Sequence, residues 1–528
     1  MKMSEVNPQI TAVRDNNEPA NAPTAMQEVN LALKECGLGL FHIRLMCTSF
    51  FGVAAGVAVL NSTPYILPIA ECDLNMSLLE KGVLNAMPFV GMVLISVVAG
   101  FLTDIFGRKF FILSGFSGLF IFTAISGTSQ TYLVLAICKF FEGLLSATAF
   151  SPMITLTSEF CHSDIRDRVM LLQSSFTAIS QIAIALMSWA ILPQHWEYTM
   201  FNGAIVFNTW NFYLFIMSLW SLTATLLFAF LPESPKYYIT QKRYDEARDI
   251  LIKIYKQNTR KPADTFPYKN IWKEKTKQDI EESSGPVSRK NLGHMLSAGL
   301  HNVKVMLHKP RGLYLLLFCT LNFFSMLLYN VIRMWFPQLS TIVEHYSTRD
   351  SQDLCVMLDT YTHDLSVRSS NVTVDEVCIP AVSGTETYIN TVILGCVCIA
   401  PYIITGVLVN KVGKKNLYIA CCLISVGATL GLRWASSKIG FVALFSFDVS
   451  ISQTMKSLNQ ALVVELFPTT IRSLSLAMIM TIGRIGSVVG NILFPILLDM
   501  GCAVPFFTLA GTMIGTTLLS LVIPVKKK

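Results

Sequence analysis

The chain has 528 residues, of which 52% are hydrophobic and only 14% charged, with a mean hydropathy of +0.51 and a net charge of +7. Soluble domains carry about 25% charged residues, so this composition excludes an ordinary soluble enzyme and points to a chain embedded in lipid. The positive surplus is no sign of nucleic-acid binding, because it sits in segments between apolar runs, where anionic lipid attracts it.

In chain order, residues 1–38 are polar and lack the charged, apolar and small-residue order of a cleavable signal, so the first apolar run is expected to be an uncleaved anchor. Apolar runs of roughly 20 residues, enough to cross about 30 Å of hydrocarbon as helix, begin near residues 44, 80, 109, 131, 169 and 211. Six more begin near 312, 388, 416, 438, 473 and 502. No alternating polar strands are visible, which excludes a β-barrel and predicts an all-α membrane protein of twelve transmembrane helices. Residues 39–231 and 312–524 would form two six-helix halves. The central loop, 232–311, is rich in Lys, Arg and Glu, and an amphipathic helix is expected over 244–255, where Ala247, Ile250, Leu251 and Ile254 share a face.

Basic residues fall on one side of this arrangement: Arg108, Lys109, Arg166, Arg168, the central loop, residues 411–415, Arg472 and the tail 525–528. The positive-inside rule makes that side cytoplasmic, together with both termini, in a plasma or intracellular vesicle membrane. The loop 339–387 is then noncytoplasmic. It carries Cys355, Cys378 and a sequon at Asn371, so glycosylation of Asn371 and a Cys355–Cys378 disulfide are expected there, with Cys72 as a competing partner. Labelling of this loop from the cytosol would overturn the topology.

The chain also repeats itself at an offset of 306 residues. Gly100, Asp104, Gly107, Arg108 and Lys109 recur as Gly406, Asn410, Gly413, Lys414 and Lys415, and Glu159 and Arg166 recur as Glu465 and Arg472. Two motifs at one offset mark a duplicated half, so the halves are expected to be pseudo-symmetric with a substrate site between them near the midplane. The glycines permit a tight turn and close helix approach, and Asp104 can cap or pair where two spans meet. All of these motif residues are candidates for a gate of charge pairs at the cytoplasmic surface.

The motif at 100–109 resembles the signature between spans two and three of the major facilitator superfamily, with Ile105 in place of the usual basic residue and a weaker second copy at Asn410 and Lys414. Glu159 to Arg166, Glu465 to Arg472, and the run Pro232, Glu233, Ser234, Pro235, Lys236 look like motifs of its sugar-porter and organic-ion branches. The run from Glu35 to His42 and the run from Trp189 to Pro193 are similar to the synaptic vesicle glycoprotein 2 and organic-ion transporter group. The resemblance implies the major facilitator fold and transport by alternating access. Relatives carry acidic residues in span one near a Gly-Val pair; here Ala55 and Ala58 flank Gly56 and Val57.

Charges inside the spans carry the chemistry, because ionisable groups at that depth cost several kcal/mol unless paired or hydrated. Glu142 and Asp448 again lie 306 apart, and Arg484 lies about ten residues into span eleven, in a context resembling the position where organic-anion carriers grip a carboxylate. Arg484, Asp448, Glu142 and Tyr329 are therefore the candidate substrate-binding residues. Two plainer readings stand beside this one: Lys139, three residues from Glu142, can pair with it, and Arg484 can neutralise Asp448. No metal-ligand cluster, nucleophile elbow or phosphate loop stands out in the sequence, so neither a cofactor nor an enzyme activity is expected. The expected function is transport of a small organic ion, more readily an anion, with possible proton coupling. The alternatives are a non-transporting vesicle-glycoprotein-like binding protein and, more weakly, a sugar carrier.

Overall fold

The computed structural model describes residues 25–200, 205–268, 271–272, 308–309, 311–346, 353–370, 383–467 and 469–524. A short helix α1 (Ala25–Cys36) precedes the first six spans, α2 (Leu40–Asp73), α3 (Leu78–Phe106), α4 (Arg108–Gly127), α5 (Tyr132–Glu159), α6 (Ser163–Ile191) and α7 (Thr209–Ala229). The central segment contributes α8 (Pro235–Thr240) and α9 (Tyr244–Thr259). The second half comprises α10 (Arg311–Tyr346), a loop helix α11 (Leu354–Ser370), the paired α12 (Thr385–Val397) and α13 (Ile399–Val412), then α14 (Lys414–Arg433), α15 (Lys438–Leu466), α16 (Thr469–Asp499) and α17 (Ala503–Ser520).

Each half encloses its own apolar core, one built from residues such as Phe116, Tyr213 and Phe228, the other from Phe318, Trp335 and Met455. A smaller cluster of Phe89, Met92, Ala147 and Met334 joins them. Lipid tails are as apolar as leucine, so helices associate here by close packing. Gly143 lies against the backbone of Pro88 and Gly91 against the Phe140 carbonyl, which locks α3 to α5, while Gly486 lies against the backbone of Phe323 and does the same for α16 and α10.

Eleven helices among the described residues are long and apolar enough to cross a membrane, against twelve expected. The missing one is span ten: α15 is 29 residues long but carries Lys438, Asp448, Lys456 and Glu465, which lower its apolarity. Span eight is divided at Cys398, because Pro401 has no N–H to return to the Val397 carbonyl. The expected amphipathic helix is present as α9, with Ala247, Leu251, Ile254 and Tyr255 buried. It packs near α1, and the Trp272 indole donates to Glu28 at 2.6 Å, so the amino-terminal helix and the central segment share one end of the bundle, the end that also bears the repeated motifs.

At the other end, the loop between spans five and six forms a hairpin of β1 (Glu197–Met200) and β2 (Ile205–Asn208), paired antiparallel with Tyr198 opposite Phe207. Four-residue strands between two long apolar runs leave little trace in hydropathy, and they were not expected. The disulfide expectation is corrected: Cys355 pairs with Cys502, at a Cα separation of 5.2 Å. Cys72 is also disulfide-bonded. Asn371, Cys378 and the tail 525–528 lie outside the described residues.

Candidate functional site

The repeated motifs build the same device twice. Gly107 and Gly413 take φ values of +94° and +86°, which turn the chain sharply between spans two and three and between spans eight and nine. Just past each glycine a cation meets the carboxylate at the end of the fourth span of its half: Arg108 Nη2 to Glu159 Oε1 at 3.2 Å, and Lys414 Nζ to Glu465 Oε2 at 2.7 Å. The next residue ties the end of the sixth span. Lys109 Nζ donates to the Ala229 carbonyl at 2.9 Å, and Lys415 Nζ donates to the Leu521 and Ile523 carbonyls at 2.7 and 2.6 Å. Gly100 and Asp104 lie in the last turns of α3, and Gly406 in α13.

Glu159 thus meets Arg108; Arg166 is exposed in the first turns of α6, and Arg472 Nε donates to the Phe467 carbonyl at 3.3 Å. The run at 232–236 acquires a physical role: the Lys109 amide donates to Glu233 Oε2 at 2.9 Å, placing a carboxylate at the positive amino end of α4. Ser234 caps α8, with Pro235 at its first turn. Burial pushes the Lys236 ammonium below the ordinary lysine range, with Glu159 opposing the shift. Arg108 and Glu159 are about 10% and 14% exposed, against 34% and 43% for Lys414 and Glu465, so the first pair is the better shielded from water. Arg108→Ala is therefore expected to lower the turnover of any carried substrate about tenfold, about 1.4 kcal/mol, with little change in apparent affinity, and Lys414→Ala to do less. Initial-rate uptake at several substrate concentrations measures both; equal, unchanged turnover would remove the gating role.

The two intramembrane carboxylates differ. Glu142 is paired at 2.9 Å with Lys139, both fully buried, and accepts from Ser126 Oγ at 2.9 Å. Lys139 also donates to Ser62 at 3.3 Å, so this cluster ties spans one, three and four inside the first half. The partners of this cluster all belong to the first half. Asp448 is buried and accepts from Ser425 Oγ at 2.6 Å and Thr429 Oγ1 at 2.7 Å, both on α14. Among the described residues it meets no cation. The residue 306 positions after Lys139 is Phe445, which packs with Phe336 and Phe441, and that substitution is why the second carboxylate has no cationic partner.

Arg484 does not reach Asp448. Its guanidinium hydrogen-bonds Ser96 of α3, across the interface between the halves. Tyr329 is buried between two further cations. Arg333 lies 5.6 Å from its ring centroid and donates to its hydroxyl at 3.2 Å, while Lys456 Nζ lies 5.2 Å over the ring. Arg333 also donates to Asn61 Oδ1 of α2 at 2.5 Å, again between halves. Lys456 is within Coulombic reach of both Arg333 and Arg484. Among the described residues none of these three cations meets a carboxylate. Beside Arg333 lies a cavity of about 30 Å³, room for about two waters, lined by Asn61, Tyr65, Gln181, Arg333, Thr391 and Leu394 among others.

The sequence reading missed Arg333, although an arginine four residues after Tyr329 within an apolar span is itself a functional signal.

Two pseudo-symmetric helical halves with cations at their interface define a carrier architecture. The chain belongs to the Major Facilitator Superfamily, which it matches over residues 46–362, more than half its length. It is 26% identical over 269 residues to synaptic vesicle glycoprotein 2C of Mus musculus and 26% identical over 235 residues to synaptic vesicle glycoprotein 2A of Homo sapiens. Those matches cover 51% and 44% of this chain but only 37% and 32% of the relatives' own length. Among solved structures, a partially occluded inward-open conformation of the xylose transporter XylE from E. coli aligns over 92% of this chain and 100% of its own, with a TM-score of 0.61 and 14% identity. The nucleoside transporter NupG aligns over the same shares with a TM-score of 0.57 and 11% identity. At these identities the likeness concerns the fold alone.

Proposed function

We propose that this chain is an alternating-access carrier of small organic anions, with Arg333, Lys456 and Arg484 as the anion site and Tyr329 as the aromatic wall between two of them. The observation that supports this reading is the uncompensated positive charge. Arg333 and Arg484 reach across the interface between the halves, Lys456 lies over the Tyr329 ring, and the groups they touch are neutral: a phenol, an asparagine and a serine. Half-buried cations that meet no carboxylate among the described residues suit a mobile anion, and the forked guanidinium suits a carboxylate, sulfate or phosphate. Asp448, held by two hydroxyls, is proposed as the site where a proton is taken up and released for coupling. The motif end is assigned to the cytoplasm by its basic residues, with both termini there, in a plasma or vesicle membrane.

The reading is tested by uptake of labelled organic anions and cations into vesicles containing the protein, at two pH values. Anions are expected to accumulate, and Asp448→Asn to abolish the difference between the two pH values. Uptake of cations but not anions overturns the anion site. A second reading, a membrane protein that binds partners without net transport, draws support from its synaptic vesicle glycoprotein relatives and from Ala55 and Ala58 in span one. Absence of uptake for every anion, cation and sugar tried, with a correctly folded protein, would favour it.

A further inference from the structure

We infer that Glu71, Lys81 and Tyr361 form a gate at the hairpin end of the bundle, with the loop helix α11 as its moving leaf. Lys81 has a fully buried side chain. Its ammonium donates to Glu71 Oε2 at 2.6 Å and to the Tyr361 hydroxyl at 2.8 Å, and lies 5.5 Å over the Tyr361 ring. Gln338 Nε2 donates to the same hydroxyl at 3.2 Å. Glu71 and Lys81 belong to spans one and two, whereas Gln338 and Tyr361 belong to α10 and α11. The cluster therefore spans the two halves.

Helix α11 is fastened to the second half. Cys355 is bonded to Cys502, the Cys502 amide donates to Asp359 Oδ1 at 2.9 Å, and the Leu354 amide donates to the Ala435 carbonyl at 3.2 Å. Tyr361 must then travel with that half, while Lys81 and Glu71 travel together with the other. At the same level the halves touch without slack: a Cβ on Gly82 would fall 2.5 Å from the Asn491 carbonyl oxygen and 2.6 Å from Pro495 Cγ. The ion pairs of the motif end have the opposite character, since Arg108 with Glu159 and Lys414 with Glu465 each stay within one half.

A buried ion pair adds little net stability, because desolvation offsets its attraction, so stability alone does not account for Lys81 at this interface. A reversible contact does. When the halves part, the Lys81 to Glu71 pair remains intact while the bond to Tyr361 is exchanged for water, which keeps the gate closed by a small, recoverable amount. The inference rests on the alternating-access reading but not on the charge of the substrate.

The test uses the full chain in vesicles with Leu394→Cys, which lines the cavity between the halves, and a membrane-impermeant thiol reagent applied from the hairpin side. The same protein without Leu394→Cys corrects for native cysteines. Lys81→Met and Tyr361→Phe are each expected to raise labelling by about threefold or more, through a shifted population of the state open to that side. Tyr361→Phe removes one hydroxyl and decides the matter alone if Lys81→Met fails to fold. Labelling unchanged in both variants, with unchanged detergent melting, overturns the gate. Failure of the parent protein to take up any anion, with the labelling response intact, would instead remove the anion site and leave the gate standing.

Discussion

Replacing Arg484 with methionine is expected to lower anion uptake by about a hundredfold or more, about 2.7 kcal/mol, while leaving the folded protein intact. The two halves of that expectation have separate causes. Among the described residues Arg484 meets Ser96 and no carboxylate, and the Ser96 hydroxyl keeps its bond to the Met92 carbonyl when the guanidinium is removed, so no charge is orphaned and melting in detergent should change little. Asp448, by contrast, already has Ser425 and Thr429, so adding Asp448→Asn should restore nothing. Arg484→Lys keeps the charge but loses the planar fork, and is expected to fall between the parent and Arg484→Met in affinity. Full uptake by Arg484→Met, or its rescue by Asp448→Asn, would end the anion-site proposal. Rescue would show that Arg484 serves Asp448 in some state of the cycle.

Much of this arrangement was legible because duplication preserves chemistry at a fixed offset. Gly107 with Gly413, Arg108 with Lys414 and Glu159 with Glu465 were all paired by the 306-residue repeat, and each pair occupies equivalent positions in the two halves. What the repeat could not supply was the partner of each charge. Glu159 and Arg166 are neighbours in sequence, yet Glu159 is met by Arg108 from span three, because an ion pair at a helix end is chosen by which helices pack together. The disulfide failed for the same reason. Cys355 and Cys378 share a loop, but α11 carries Cys355 to the turn before span twelve, 147 residues along the chain. Lys139 and Glu142 were readable as a pair because three residues on one helix fix the geometry locally. The two cations around Tyr329 come from α10 and α15, and only packing brings the second of them to the ring.

The last expectation concerns that local pair. Lys139→Met leaves Glu142 fully buried with a serine as its remaining partner, and is expected to destabilise the protein by about 3–5 kcal/mol, seen as a large drop in detergent melting and in folded yield. Adding Glu142→Gln should recover most of the loss, because the cost lies in the orphaned charge and a neutral amide can still accept from Ser126. The recovered double variant should also carry substrate at close to the parent rate, since the pair ties spans one, three and four within a single half. Recovery of folding without recovery of transport would place Glu142 in the carrier cycle after all. The second half serves as an internal control: there Phe445 stands where Lys139 would be, and Asp448 is held in a folded structure by hydroxyls alone. A carboxyl at this position therefore does not need a lysine to be tolerated, but one built beside a lysine depends on it. Phe445→Ala should loosen the packing against Phe336 and Phe441 at a similar cost, about 3–5 kcal/mol, but it orphans no charge, so adding Asp448→Asn should recover nothing, and that lack of rescue separates the two kinds of dependence.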